Sequence, residues 1–249
     1  MLDPKAPFPN VATSGVIEQL RFVKDEGELA RVRAAAAIAD AVLTELQPTL
    51  YEGPTEEDFR ELLDDQMRRL GSEEPAFPTV VASGPNAALP HHRPSTRRIT
   101  EGELVVIDFG GTVDGYRSDL CRTFMVGGVA RELRAIYDLV LVAQAAALAS
   151  VHDGVPAADV DAACRAIIEG AGRGNQFPYS TGHGMGLVVY EHPVLDRSSA
   201  EVLGAGQVVT VEPAVYLPGT GGVRIEDLVI VTAAGCESLT HTPKSPVPA

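Results

Sequence analysis

At 249 residues, 45% hydrophobic and 22% charged, with mean hydropathy just above zero, the chain can bury a sizeable core, which excludes disorder, collagen and coiled coil. Against 20 Lys and Arg stand 34 Asp and Glu, a formal charge of −14 that repels phosphate backbones and anionic lipid and so argues against nucleic acid and membrane surfaces as partners. Residues 1–10 carry Asp3 and three prolines where an export signal needs a basic start and an apolar run, and Cys121, Cys164 and Cys236 lie far apart with no CxxC, so a cytoplasmic, reducing setting is expected.

After a Pro-rich leader, residues 1–16, Asp25 with Glu28 three residues on reads as a helix cap. Leu29, Val32, Ala36, Ala39, Leu43 and Leu46 then predict a helix to about Leu46. Thr55 caps a second, with Phe59, Leu62, Leu63, Met67 and Leu70 in period until Gly71. Strands are predicted over Val80–Ala82, Leu104–Phe109 and Arg117–Val126, then helices over Arg131–Ser150 and Ala157–Ile168. Two further strands, Val208–Val215 and Val223–Val231, complete the order. The most apolar stretch, Leu139–Ala149, is too short to span a bilayer and is interrupted by Gln144. Residues 17–240 read as one domain, with 241–249 as a flexible tail.

The order repeats at residue level. Glu101-Gly102-Glu103-Leu104-Val105-Val106-Ile107-Asp108 aligns with Ala205-Gly206-Gln207-Val208-Val209-Thr210-Val211-Glu212, and Arg117-Ser118-Asp119 echoes Arg224-Ile225-Glu226. Each half is helix, helix, strand and a hairpin with one carboxylate per arm. Related halves sharing a sheet imply an α+β domain with a pseudo-two-fold axis, on which the carboxylates converge.

Asp108, Asp119, Glu212 and Glu226 all sit against runs apolar enough to be buried strands, and a buried carboxylate must be paired, hydrogen-bonded or metal-bound. Taken singly, each would pair with Arg117, Arg122 or Arg224. Four at repeat-related positions outnumber the cations nearby, and divalent metal supplies the missing charge. Thr181-Gly182-His183-Gly184-Met185-Gly186 offers one imidazole among glycines, a nitrogen that manganese, cobalt or zinc accepts.

Ile107-Asp108-Phe109-Gly110-Gly111, Ser118-Asp119-Leu120-Cys121-Arg122-Thr123-Phe124, Gly182-His183-Gly184-Met185-Gly186-Leu187, Val211-Glu212-Pro213 and Arg224-Ile225-Glu226-Asp227 together resemble the pita-bread metallopeptidases, family M24, over nearly the whole chain from Ile17. The resemblance implies two pseudo-symmetric halves sharing a curved, mainly antiparallel sheet covered by helices. It also implies two divalent ions per chain, manganese foremost with cobalt or zinc as alternatives. Asp108 would hold one, His183 and Glu212 the other, and Asp119 and Glu226 would bridge, so that a hydroxide forms near neutral pH and attacks a polarised carbonyl. Glu212 becomes the proton acceptor, His91 a donor to substrate or oxyanion, and Arg224 a neighbour of the substrate.

Ser83-Gly84-Pro85-Asn86 with Leu89-Pro90-His91 is similar to the proline-directed branch, which implies a prolidase-like Xaa-Pro dipeptidase and a proline-containing peptide as partner. That branch usually carries a further N-terminal domain that helps to form oligomers, so a homodimer stays open. An Xaa-Pro aminopeptidase acting on longer peptides, a same-fold hydrolase or lyase of a small non-peptide molecule, and a non-catalytic scaffold are the alternatives. The family's second catalytic histidine falls seven residues after His183, where this chain has Tyr190. Tyr190 is therefore expected to orient substrate or stabilise the oxyanion. The competing expectation is that His192, on the same face if the stretch is extended, supplies the imidazole.

Overall fold

The helices begin where side chains satisfy their first free N–H groups. In the computed structural model, which describes residues 15–247, a five-residue turn α1 (Val16–Leu20) precedes α2 (Glu26–Leu46) and α3 (Glu56–Arg69). Asp25 accepts the Glu28 N–H at 2.8 Å while Glu28 accepts that of Asp25 at 2.7 Å, and Thr55 and Asp58 repeat the exchange at α3. Strands β1 (Val80–Ser83), β2 (Glu103–Phe109), β3 (Thr112–Val113), β4 (Tyr116–Arg117) and β5 (Leu120–Val126) complete the first half. The second half holds α4 (Arg131–Ser150), α5 (Ala157–Gly170), β6 (Gly182–Gly184), β7 (Glu191–Leu195), β8 (Val208–Val211), β9 (Ala214–Leu217), β10 (Gly221–Arg224), β11 (Asp227–Thr232) and β12 (Gly235–Ser238).

Each half builds its own core between a helix pair and an antiparallel ladder. Leu43, Phe59, Leu63, Val105, Ile107 and Phe124 pack α2 and α3 on the three-stranded ladder β1-β2-β5. Val140, Ala147, Cys164, Ile168, Val209 and Val229 pack α4 and α5 on the five-stranded ladder β12-β11-β8-β6-β7. Although α4 is long and apolar enough by composition to cross a membrane, its Leu133, Ile136, Tyr137, Val140, Ala143, Gln144 and Ala147 are buried in the domain, as befits a core helix.

The two ladders meet along β5 and the 224–226 segment. Glu226 N–H donates to the Cys121 carbonyl at 3.1 Å, and Thr123 Oγ1 exchanges hydrogen bonds with Arg224 at 2.8 and 3.0 Å. Behind this seam the Arg122 guanidinium, 1% exposed, donates to the carbonyls of Cys121, Glu226 and Thr242 and to Asp227. A buried guanidinium satisfied on all sides by backbone from both halves fixes their relative position. Two helix pairs packed on antiparallel ladders give the α+β arrangement of two similar halves that the resemblance implies.

Three predicted strands are interrupted. Residues 118–119 separate β4 from β5, 212–213 separate β8 from β9, and 225–226 separate β10 from β11. The sequence reading of residues 241–249 as a flexible tail fails for 241–247. Asp40 accepts the His241 and Thr242 N–H groups at 2.7 Å each, Pro246 accepts the Met125 N–H at 2.7 Å, and Lys244 pairs with Asp227. The backbone hydrogen bonds of that segment are met by the domain, which holds it down. Of the leader, all but residues 15 and 16 lies outside the described residues.

Candidate metal centre

The strand interruptions are where the carboxylates turn inward. Asp108 pairs with Cys121 near the end of the β2–β5 ladder, and Asp119 stands one residue before β5. The β8–β11 ladder ends at Val211 and Asp227, which leaves Glu212 and Glu226 at its rim. His183 sits mid-strand in β6. Its N–H donates to Thr210 Oγ1 at 3.0 Å, and Thr210 in turn donates to Glu212 Oε1 at 2.9 Å. Two glycines permit the closeness: a Cβ at Gly182 would lie 1.9 Å from the Thr210 carbonyl oxygen, and one at Gly110 would lie 1.8 Å from that of Ser118.

The buried carboxylates lack enough protein donors. Among the described residues, Asp108 Oδ1, Asp119 Oδ1 and Glu226 Oε1 have no hydrogen-bond partner, an arrangement costly unless something positive or protonated sits among them. Burial, and then the charges of Glu226, Asp108 and Glu212, push the Asp119 carboxyl well above its ordinary range. Burial followed by Glu212 and Asp108 does the same to Glu226. Asp108 is raised by burial but restrained by Arg224, which pairs with its Oδ2. Glu212 goes the other way: burial would raise it, but the His183 imidazole 3.2 Å away holds it down. His183 is raised in return, because the Glu212 hydrogen bond and charge outweigh burial.

These residues fit a divalent cation. The three orphaned oxygens are hard donors, and His183 Nδ1 is already committed to the Gly184 carbonyl at 3.0 Å, which leaves Nε2 as the ligating nitrogen. Cys121 stands beside them, its Sγ within 4.8 Å of donor oxygens of Asp108 and Glu226. Burial pushes this thiol well up, and Sγ accepts from Arg224 Nε at 3.4 Å, so it packs there as a neutral thiol.

A cavity of about 760 Å³ opens over Asp108, Asp119, His183 and Glu212. His91, Tyr190 and Arg224 also line it. Arg224, expected beside the substrate, spends its N–H groups on the protein: on Asp108, on Tyr216 Oη at 3.1 Å, on Cys121 and on the Pro90 carbonyl at 3.4 Å. Tyr190 packs its ring 4.4 Å from that of His183. Tyr190 is 68% exposed overall, but desolvation at the cavity wall, then the charges of Glu212, Asp119 and Asp108, push its hydroxyl up to about 12, so it stays a donor at neutral pH. The role suggested for His192 does not fit its place. Its side chain is 59% exposed, bonded to Glu201 at 3.1 Å and stacked on Phe22, and it does not line the cavity. Tyr190 lies ahead of β7, in which Glu191 points inward and His192 outward. Sequence reasoning missed Tyr216, whose only signal was its position four residues past Glu212.

The profile of metallopeptidase family M24 matches residues 30–233. An Xaa-Pro dipeptidase from Pyrococcus furiosus is 40% identical over 227 residues, which are 91% of this chain and 65% of that protein. The chain thus spans less than two thirds of the length of that relative. Among solved structures, an Xaa-Pro dipeptidase from Bacillus anthracis superposes with a TM-score of 0.93 at 41% identity, over 94% of this chain and 66% of that one. An X-Pro aminopeptidase from Thermotoga maritima gives 0.89 at 38% identity, over 92% and 65%.

Proposed function

We propose that this chain, which belongs to metallopeptidase family M24, is a prolidase-like exopeptidase that hydrolyses the bond before proline in Xaa-Pro peptides. The observation that carries this reading is the set of unsatisfied carboxylate oxygens on Asp108, Asp119 and Glu226, the first two of which line one cavity. Asp108, Asp119, His183, Glu212 and Glu226 would together hold two divalent ions, with manganese first and cobalt or zinc next to be tried. When bound, such ions supply Lewis acidity and activate water near neutral pH.

The chain's own residues do the rest. Glu212 is ionised at neutral pH, so it can take a proton from the attacking water and return it to the departing proline nitrogen. His91 and Tyr190 face the cavity as donors for the carbonyl oxygen as it gains charge. Arg224 acts by holding Asp108 and the Pro90 carbonyl rather than by gripping the peptide. The substrate's Xaa-Pro bond is a tertiary amide with no N–H, which explains why a dedicated site would serve it. The three free cysteines suit a reducing cytoplasm.

The test is a panel of Ala-Pro, Ala-Ala and Ala-Pro-Ala with manganese supplied. Ala-Pro should be cut, Ala-Ala poorly, and both Asp108→Ala and Glu226→Ala should lose metal and activity together. Equal rates on Ala-Pro and Ala-Ala would overturn the proline requirement, and cleavage of the tripeptide alone would move the activity to an Xaa-Pro aminopeptidase.

A further inference from the structure

Glu56 is a carboxylate outside the metal centre with no exposure at all. It opens α3, and its side chain points away from that helix into the segment 83–95. Oε1 accepts the Ser83 N–H at 2.8 Å, Ser83 Oγ at 2.7 Å and Asn86 Nδ2 at 3.0 Å. Oε2 lies 2.8 Å from His92 Nε2 and accepts the Ser95 N–H at 3.2 Å and Ser95 Oγ at 2.7 Å. One acceptor-only group thereby gathers six donors from both ends of a single segment. Burial alone would raise this carboxyl, yet the bonds from Asn86, Ser83 and His92 hold it at about 2.

Between the clamped ends lies His91, which lines the cavity, while among the described residues no hydrogen bond holds its ring. The segment is fixed from the metal side as well: Arg224 reaches the Pro90 carbonyl at 3.4 Å, and the Ala87 carbonyl would stand 2.2 Å from any Cβ at Gly222. The imidazole therefore takes its place from the backbone beneath it, and that backbone takes its place from Glu56.

We infer that Glu56 is a positioning residue for His91: its carboxylate gathers the Ser83–Ser95 segment so that the imidazole meets the reacting carbonyl. Catalysis is steep in such placement, since a misplacement of about 1 Å can cost roughly a hundredfold. A Gln at position 56 turns its NH2 against the backbone N–H of either Ser83 or Ser95, whichever way the amide faces. The inference rests on the peptidase reading for its kinetic readout, so a second readout independent of activity accompanies it.

The experiment compares wild type, Glu56→Gln, His91→Ala and the double variant on Ala-Pro with manganese. Amide hydrogen exchange is followed in parallel on the metal-free proteins. Glu56→Gln should lower kcat about ten- to a hundredfold with KM within about threefold, and should cost less than about threefold on top of His91→Ala. Faster exchange should be confined to residues 84–95. The same factor in both backgrounds, or unchanged kcat despite faster exchange, would overturn the assignment, as would faster exchange spread evenly over a variant that still folds cooperatively. Should Glu56→Gln fail to fold, Ser95→Ala removes one donor and should show the same pattern at about three- to tenfold; full activity with a loosened segment would count against Glu56. A wild type inactive on every Xaa-Pro substrate while Glu56→Gln still loosens residues 84–95 would indict the peptidase reading and leave the clamp standing.

Discussion

Tyr190 stands where the resemblance calls for a histidine, and the exchange alters what that position can do. An imidazole titrates near neutral pH and can pass a proton, whereas a phenol held at about 12 keeps its proton and offers only an O–H. Its ring lies against His183 on one side while the residue is 68% exposed overall, so contact with the imidazole is what orients it at the cavity. Tyr190→Phe deletes that hydroxyl and keeps the ring. If it donates to the charge developing on the carbonyl oxygen, kcat should fall roughly ten- to a thousandfold with KM changed little, by comparison with removing an oxyanion donor. Steady-state kinetics on Ala-Pro check this, and an unchanged kcat would reduce Tyr190 to a packing residue. His192→Ala should leave kcat near wild type, because its imidazole faces Glu201 and solvent.

The helices show why some elements were legible in the sequence and others were not. Asp25 with Glu28 and Thr55 with Asp58 are local signals, complete within four residues, and α2 and α3 start where they indicate. Asp25→Ala should accordingly cost about 1 kcal/mol, read as a small drop in the denaturation midpoint with the slope preserved. Strands 117–126, 208–215 and 223–231 read as unbroken because apolar residues flank each interruption. What breaks them is tertiary: Asp119, Glu212 and Glu226 leave the ladders to meet at the seam between halves. The four carboxylates were still legible, through the 104-residue offset that relates Asp108 to Glu212. Strands β6 and β7 were not. Glycines hide β6 from any hydrophobic period, and β7 is a short strand that begins only at Glu191, after Tyr190, with a register shift against β6. The buried clamp at Glu56 was hidden for another reason, since a first-turn Glu reads as helix-dipole compensation until its donors, 27 to 39 residues away, are seen.

Across the whole molecule, the buried carboxyls of the candidate metal centre tie stability to pH, in the direction opposite to that of a salt-bridged surface carboxylate. Asp119 and Glu226 hold their protons more tightly in the metal-free fold than in the unfolded chain, where carboxyls titrate at about 4. Below that value both states are protonated and folding carries no penalty from the pair. As pH rises the unfolded chain ionises first, the native state binds more protons, and stability falls until the folded carboxyls titrate too. If divalent metal binds there as proposed, it replaces those protons, so the bound form would escape the loss and bind more strongly as the protons it must displace become fewer. Glu56 has the reverse dependence, its contribution being lost as pH falls from about 4.5 toward about 2, but it is the same with and without metal and cancels in the difference. The rise in Tm between chelated and manganese-saturated protein should therefore be larger at pH 8 than at pH 5. In Glu226→Gln, which removes one of the two titrating carboxyls, the rise should shrink at pH 8 and depend less on pH. A Tm rise equal at both pH values, or greater at pH 5, would mean that these carboxylates are not where the metal binds.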